Sequence, residues 1–105
     1  MLKTTLLYPF NEGARFDFDY YQNHHLPMVR WRLGSALKHI SIDKGIGGGA
    51  PNAPAPFVVL AHMSFNSVEE FQQAMTPHFD FIMKDVPNFT DITPVPMISV
   101  SILDE

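Results

Sequence analysis

The residues best suited to acid–base chemistry lie together between Phe16 and Val29, a stretch that contains two tyrosines and two histidines. Tyr21 and His25 are four positions apart, so on a helix their side chains share one face. A histidine in an apolar cleft can transfer a proton near neutral pH, and a neighbouring tyrosine can donate a hydrogen bond to a developing oxyanion. We therefore take His25 and Tyr21 as candidate catalytic residues. A half-buried histidine that only satisfies a backbone carbonyl, such as the one freed by Pro27, is the structural alternative.

The same stretch carries a second pair, Tyr20 and His24, rotated by about 100° around the helix axis. The face with Tyr21 and His25 is the more apolar, so we expect His25 to lie between helix and sheet and His24 to lie nearer solvent. Five further residues are candidates for contacting a substrate: two that flank this face, the neighbouring tyrosine, a histidine in a later strand and an acid in a polar loop. They are Phe18, Met28, Tyr20, His62 and Asp85.

Metal and cofactor sites are not indicated by the sequence. The chain has no cysteine, and its histidines are not spaced as His-x-His or His-x-x-x-His, so we predict no metal site. The glycine run at residues 45–49 lacks the Lys-Ser/Thr of a phosphate-binding loop, and no helix follows it. We predict no cofactor. The Gly/Pro-rich segment 45–56 is interpreted as a flexible or irregular loop that either closes over a site or reaches toward a partner.

The predicted elements follow the order β-α-β-β-α-β. Strands are predicted at residues 2–8, 37–46, 57–65 and 97–103, with Pro94 and Pro96 bracketing the entry to the last one. One helix is predicted from about Asp17 to Leu33, kinked at Pro27 and ended by Gly34; a second begins at the capping box Ser67-Val68-Glu69-Glu70. This is the ferredoxin-like α+β arrangement, an antiparallel four-stranded sheet with both helices on one face. The length of 105 residues predicts one domain, residues 1–105.

The third predicted strand, Phe57 to Phe65, does not alternate apolar and polar residues, so both of its faces require cover. Helices can cover one face, and a second copy of the sheet would cover the other. Charged residues make up 17% of the chain, below the usual proportion of about 25%. We therefore predict a homodimer in which two sheets pack face to face. A central strand with a tolerated apolar face is the alternative.

The charge distribution argues against two classes of partner. The net charge is −4, and no basic stripe or Lys/Arg run is present. Binding to nucleic acid or to an anionic membrane is therefore not expected. The N-terminal residues lack the pattern of a signal peptide, and no stretch has the apolar length that spans a bilayer. We expect a cytoplasmic protein.

The segment from Tyr20 to Val29 resembles the Tyr-Tyr-x-x-x-His-x-Pro-Leu signature of the EthD family, with the family histidine at His25 and Met28 in place of the leucine. Phe16-Asp17 and Asp85-Val86-Pro87-Asn88-Phe89-Thr90 also fit this family. The resemblance implies a dimeric α/β barrel built from two ferredoxin-like sheets. It also implies kinship with polyketide monooxygenases and cyclases, muconolactone isomerases and haem-degrading proteins. The members that gave the family its name are linked to bacterial breakdown of an ether fuel additive beside a cytochrome P450 system.

These observations lead to two functional hypotheses of similar weight. In the first, the protein is a cofactor-independent enzyme of catabolic or oxidative metabolism, an oxidoreductase, monooxygenase, isomerase or cyclase. It acts on a small apolar molecule in a cleft rich in Phe and Met, and His25 transfers a proton. In the second, the cleft belongs to a non-catalytic binder or to an accessory protein of an oxygenase system. Haem binding through a histidine is a third reading that no spacing requires.

Overall fold

The computed structural model describes residues 1–105 and contains one antiparallel sheet of four strands. The strands are β1 (Leu2–Pro9), β2 (His39–Lys44), β3 (Phe57–Phe65) and β4 (Val95–Val100), in the spatial order β2-β3-β1-β4. The first and third strands in the chain are therefore the central ones, and β2 and β4 are the edges. This topology confirms the predicted ferredoxin-like α+β fold.

Strand alternation divides the sheet into two faces with different roles. Leu2 pairs with Phe65 and Tyr8 pairs with Val59 across β1 and β3, and all four side chains are buried. Because successive residues of a strand point to opposite faces, the intervening positions lie on the other side. We call this second side the open face, defined by Thr5, Leu7, Ser41, Asp43, Leu60 and His62.

The first helical layer is continuous but changes its winding. It consists of α1 (Phe18–Tyr20), a π-helical turn (Tyr21–His25) and α2 (Leu26–Leu33). Asp17 caps its start by accepting a hydrogen bond from the Tyr20 N–H at 3.1 Å, and Gly34 ends it with φ of 59°, as predicted. A π-turn precedes Pro27, and in this turn the Leu26 N–H donates to the Tyr21 carbonyl. A wider turn is one way for a helix to continue past a proline, which has no backbone N–H to donate.

The second helical layer begins at the predicted cap. The Ser67 hydroxyl accepts a hydrogen bond from the Glu70 N–H at 3.1 Å and opens α3 (Val68–Met75). A 3₁₀ turn (Thr76–His78), α4 (Phe79–Asp85) and a further 3₁₀ turn (Val86–Asn88) complete the layer. None of the helices in the structure has the length and apolar character that crossing a bilayer requires.

Two buried clusters join the helices to the same side of the sheet. One contains Leu2, Val29, Leu33, Met63, Phe65 and Ile82. The other contains Tyr8, Tyr21, Val59, Ala61, Val86, Phe89 and Ile92. Each cluster combines helical residues with helix-facing strand residues, so the helices cover one face of the sheet as predicted.

Two strands differ from the predictions in where they begin and end. Strand β2 is shorter than predicted, and β4 starts two residues before Met97 and ends three before Leu103. Pro96 lies inside β4, opposite Leu6, because an edge strand tolerates a residue without an N–H. Residues 45–56 form no helix or strand, as predicted for an irregular loop, but the two ends of this loop are hydrogen-bonded to each other and form a stem that extends the β2–β3 hairpin.

Backbone hydrogen bonds join the two sides of this stem. They run from the Gly45 N–H to Val58 at 2.9 Å and from the Gly48 N–H to Ala53 at 2.8 Å. A Cβ at position 45 would collide with the Phe57 carbonyl, so glycine allows the two sides to approach closely.

Candidate functional site

A cavity of about 220 Å³ lies between the helix-facing side of the sheet and the helices. Sixteen of the twenty residues that line it are hydrophobic, so it favours an apolar ligand. We call it the cleft. Its volume is below the roughly 300–1,000 Å³ typical of pockets for drug-sized molecules, so only a small molecule would fit inside it. The strands contribute Thr4, Leu6, Tyr8, Ile40, Ile42, Ala61, Met63, Pro96 and Ile98; the helices contribute Tyr21, His25, Leu26, Val29, Phe71, Met75, Phe79, Ile82 and Met83. Thr5 and Met97 also border the cavity, although strand alternation points their side chains to the open face.

His25 is the residue of the cleft wall whose side chain type titrates near neutral pH, and Asp85 hydrogen-bonds to it on the side away from the cleft. His25 Nδ1 lies 2.8 Å from Asp85 Oδ2, and the histidine is buried. An ionised carboxylate only accepts hydrogen bonds, so Nδ1 carries the proton and donates it. This tautomer leaves the lone pair of Nε2 available to a molecule in the cleft.

The Asp85 carboxylate is held by donors on its other oxygen. The Tyr20 hydroxyl donates to Oδ1 at 2.6 Å, and the Asn88 amide donates to the same oxygen at 2.9 Å. Burial alone would raise the pKa of Asp85, but the hydrogen bonds from Tyr20, Asn88 and His25 outweigh it, so the pKa lies below its ordinary value. Asp85 therefore remains a carboxylate across the physiological range.

The protonation of His25 follows from two opposing effects. Burial lowers its pKa, while the hydrogen bond and the charge of Asp85 raise it; the net result lies below the ordinary value of 6.5. His25 is therefore neutral at pH 7. A neutral imidazole with a free Nε2, oriented by a carboxylate on Nδ1, is equipped to act as a general base.

Aromatic rings fix the orientation of the histidine. Tyr21 stacks on His25 with ring centroids 5.7 Å apart and planes inclined by 16°. Phe89 packs against both, with centroids 4.6 Å from His25 and 4.8 Å from Tyr21. Because Tyr21 also lines the cleft, the residues four apart on the π-turn present a continuous aromatic wall to the ligand space.

The loop that follows Asp85 is attached to the start of the chain by Arg15. The Arg15 guanidinium donates to the Pro87 carbonyl at 2.7 Å, and its backbone N–H donates to the Asp91 carboxylate at 2.9 Å. The Thr90 hydroxyl donates to the Arg15 carbonyl at 2.7 Å. These contacts fix the segment that carries Asn88, and through it the Asp85 carboxylate.

The structure brings together four of the seven predicted site residues: Tyr20, Tyr21, His25 and Asp85. Tyr21 and His25 line the cleft, whereas Tyr20 and Asp85 lie behind His25 and do not reach the cleft wall. The proposed alternative in which His25 satisfies a carbonyl freed by Pro27 does not describe this site, because Nδ1 donates to Asp85.

The other three predicted residues lie elsewhere. Phe18 packs on Phe16, with centroids 4.7 Å apart, at a hollow beneath the 45–56 loop. Met28 packs beside the cluster around Val29 without lining the cleft. His62 lies on the open face, where its Nδ1 is 3.1 Å from the Thr5 hydroxyl. The expectation that His62 lines the cleft does not fit its place in the strand, because strand alternation points it away from the helices.

Three residues that contribute to the site were not among the candidates chosen from the sequence. Tyr8 reaches the cleft from the end of β1, Asn88 holds Asp85, and Arg15 holds the loop. Asn88 had a visible signal, since it belongs to the Asp85–Thr90 motif, but asparagine is also common in turns and its type alone does not indicate a contact with Asp85. The roles of Tyr8 and Arg15 depend on contacts across the fold, for which a single sequence gives no local signal.

The side chains of the structure can be compared with the requirements of two kinds of ligand, a metal ion and a haem. No group of three or more His, Asp or Glu side chains is placed to hold a metal ion. A haem would need a free histidine nitrogen and room for its macrocycle. His25 Nε2 meets the first requirement, but a volume of about 220 Å³ does not accommodate the second.

Comparisons with known proteins show the family to which this chain belongs. The model of the EthD domain matches residues 13–93, which include every residue of the Tyr20–Asp85–His25 group. An EthD-like protein from Ralstonia eutropha has a solved structure that is 42% identical, with a TM-score of 0.93 over 99% of this chain and 94% of that one. The chain therefore belongs to the EthD family.

Two further structures are more distant. An ethyl tert-butyl ether D (EthD) family protein from Bacillus halodurans is 28% identical, with a TM-score of 0.74 over 97% of this chain and 99% of that one. A dimeric protein of unknown function with a ferredoxin-like fold, from Bacteroides fragilis, is 9% identical, with a TM-score of 0.53 over 93% of both chains. The latter shows the shared fold alone. A search of curated proteins found no match.

Proposed function

We propose that this EthD-family protein binds a small, mainly apolar organic molecule in the cleft and that His25 exchanges a proton with it. The observation that carries the proposal is the 2.8 Å hydrogen bond from His25 Nδ1 to Asp85 at the wall of an apolar cavity. A buried carboxylate behind a neutral histidine both orients the ring and stabilises the imidazolium that forms after proton uptake.

Proton transfer is the chemistry that these groups support without further parts. Asp85 is a positioning residue, since it does not reach the cleft, and His25 is the one that would touch the ligand. No serine or threonine hydroxyl is hydrogen-bonded to His25, so the arrangement does not supply an activated nucleophile. Isomerisation and cyclisation start with such a proton transfer, and they are the reaction types that we favour.

We also propose that the protein forms a homodimer through the open face. Leu7 and Leu60 are half-buried there without a helix to cover them, and the edge strand β4 exposes Val95 and Met97. Apolar residues on both faces of a central strand are typical of sheets that are covered on both sides. A fold relative that is described as dimeric is consistent with this arrangement.

Methionine-methyl NMR tests the cleft proposal with controls inside the same chain. Met63, Met75 and Met83 line the cleft, whereas Met1 and Met28 do not. Titration with a panel of small aromatic and alicyclic compounds should shift the three cleft signals and leave Met1 and Met28 nearly unchanged. If no compound in the panel perturbs the cleft methyls, the proposal is wrong.

The same samples separate an enzyme from a binder. Spectra of the ligand taken over hours show whether it is converted, and the His25→Ala variant shows whether conversion needs the histidine. Conversion that disappears in His25→Ala supports catalysis. A ligand that binds in the cleft and returns unaltered supports the binder or accessory role instead.

A further inference from the structure

Two tyrosine side chains of the cleft have hydroxyls without a partner in the chain. Tyr8 is 1% exposed and Tyr21 is 2% exposed, yet neither hydroxyl forms a hydrogen bond with another residue of the structure. Buried tyrosine hydroxyls usually find a partner. The only wholly enclosed side-chain nitrogen or oxygen without a hydrogen bond is Arg32 Nε. The two hydroxyls are therefore not sealed inside the core, and both tyrosines line the cleft.

Both hydroxyls are donors at neutral pH. Burial raises the pKa of Tyr8 to about 12. Burial also raises the pKa of Tyr21, and the neighbouring Tyr8 adds to the effect, because a negative charge on one phenol would repel a charge on the other. The rings are 6.3 Å apart between centroids, and Tyr21 in turn stacks on His25.

We infer that the cleft takes a small enolisable carbonyl compound, whose oxygen accepts hydrogen bonds from Tyr8 and Tyr21 while His25 removes a proton from the adjacent carbon. This inference rests on the proposed function and names its substrate class. The C–H bond breaks and its proton moves to Nε2 of His25. The C–H electron pair forms a C=C bond, and the carbonyl π pair moves to the oxygen as an enolate. Return of the proton to carbon gives a ketone again, so no oxidant or reductant is required.

The unpaired polar groups of the cleft favour a carbonyl compound over a hydrocarbon. A hydrocarbon would leave two buried hydroxyls and one imidazole nitrogen unpaired, which is unfavourable. A carbonyl oxygen uses the hydroxyls as donors, and its acidic C–H faces a base. Donors that point at the position where negative charge develops stabilise the transition state more than the ground state. The surroundings, mostly Leu, Ile, Met and Phe, strengthen these interactions because they exclude water.

The test uses 4-nitrophenol, whose anion mimics an enolate and absorbs visible light, and nitrobenzene, which has similar size but no oxyanion. For the intact protein, we expect the bound phenol to ionise at lower pH than the free phenol. We expect Tyr8→Phe and Tyr21→Phe to weaken phenolate binding by about 10-fold or more, since each removes a hydrogen bond to a charged oxygen. Ser41→Ala, which removes a hydroxyl on the open face, should leave the affinity unchanged.

Nitrobenzene separates the failure of the inference from the failure of the proposed function. If neither these two compounds nor any other member of the panel shifts the cleft methionine methyls, the proposed function itself fails. If nitrobenzene binds but the bound phenol ionises no more readily than the free one, the inference is overturned without any variant. Equal phenolate affinities of a folded Tyr21→Phe variant and the unaltered protein would also overturn it, even if Tyr8→Phe does not fold.

Discussion

The two faces of the sheet each carry a histidine next to an aspartate, and the comparison of these pairs shows how burial gives the same residues different roles. On the helix side, His25 and Asp85 are 2.8 Å apart, and their side chains are 5% and 17% exposed. On the open face, His62 and Asp43 are 3.4 Å apart, with side chains that are 26% and 63% exposed. Water screens the second pair far more than the first.

The difference extends to the surroundings of each carboxylate. Asp85 accepts hydrogen bonds from Tyr20, Asn88 and His25, so it is held in one orientation behind the cleft. Asp43 faces solvent and contacts only its histidine, which also hydrogen-bonds to Thr5. We conclude that a His–Asp pair in this fold is equipped for proton transfer when the carboxylate has a fixed orientation and the histidine borders an apolar cavity.

The largest expected difference between the pairs concerns proton transfer. His25→Ala should reduce the rate of hydrogen–deuterium exchange next to the carbonyl of a bound ketone by about 10²- to 10⁴-fold, because it removes the base. His62→Ala should change the same rate by less than about threefold, as expected for a residue outside the cleft. Exchange of a small ketone in D₂O, followed by proton NMR, measures both. Similar losses in the two variants would contradict the assignment of the site to the helix side.

A smaller difference is expected in stability. Asp85→Ala leaves the Tyr20 hydroxyl and the His25 Nδ1–H without their acceptor, and it should lower the free energy of unfolding by about 1–3 kcal/mol. Asp43→Ala removes an exposed pair and should cost less than about 1 kcal/mol. Urea unfolding of both variants gives the comparison directly. If Asp43→Ala costs as much as Asp85→Ala, the two environments do not differ as described.

The pH dependence of stability should report on the His25–Asp85 pair. The pKa values of His25 and Asp85 are lowered in the folded chain, so the unfolded chain binds more protons in acid. The free energy of unfolding should therefore fall as the pH drops below about 6.5, and fall further as Asp85 is protonated below its unfolded value near 3.8. Urea titrations between pH 4 and pH 8 should show a flatter profile for His25→Gln, and an unchanged profile would contradict this account.

The smallest effect on the cleft is expected from a change on the open face. Leu60→Glu places a charge where a second copy is proposed to pack, so native mass spectrometry should show a dimer for the unaltered protein and a monomer for the variant. Binding of nitrobenzene should stay within about threefold, since Leu60 points away from the cleft. A monomeric unaltered protein would contradict the proposed dimer.

Much of the fold was predictable because its signals are local. The cap at Ser67, the glycine at position 34 and the order of strands and helices are all visible in the sequence. The position of β4 was less accurate because Pro96 was interpreted as preceding the strand. An edge strand tolerates proline inside it, and edge position is a property of the whole sheet.

The candidate site was predictable only where its residues are close in sequence. The spacing of Tyr21 and His25 indicated a shared face, and the structure places both on the cleft wall. The link from Tyr20 through Asp85 to His25 joins positions 60 and more residues apart, and no periodicity reveals it. His62 shows a second reason why site residues are hard to predict. Both faces of its strand are apolar, so the sequence does not indicate which face the histidine occupies.

The most direct test of the account is the protonation of the His25 ring, read from its nitrogen chemical shifts by ¹⁵N NMR across a pH titration. We predict that at pH 7 His25 is neutral, with the proton on Nδ1 and a bare Nε2, and that its titration midpoint lies below 6.5. A proton on Nε2 at pH 7, or a midpoint above 6.5, would contradict the central claim that His25 presents a base to the cleft.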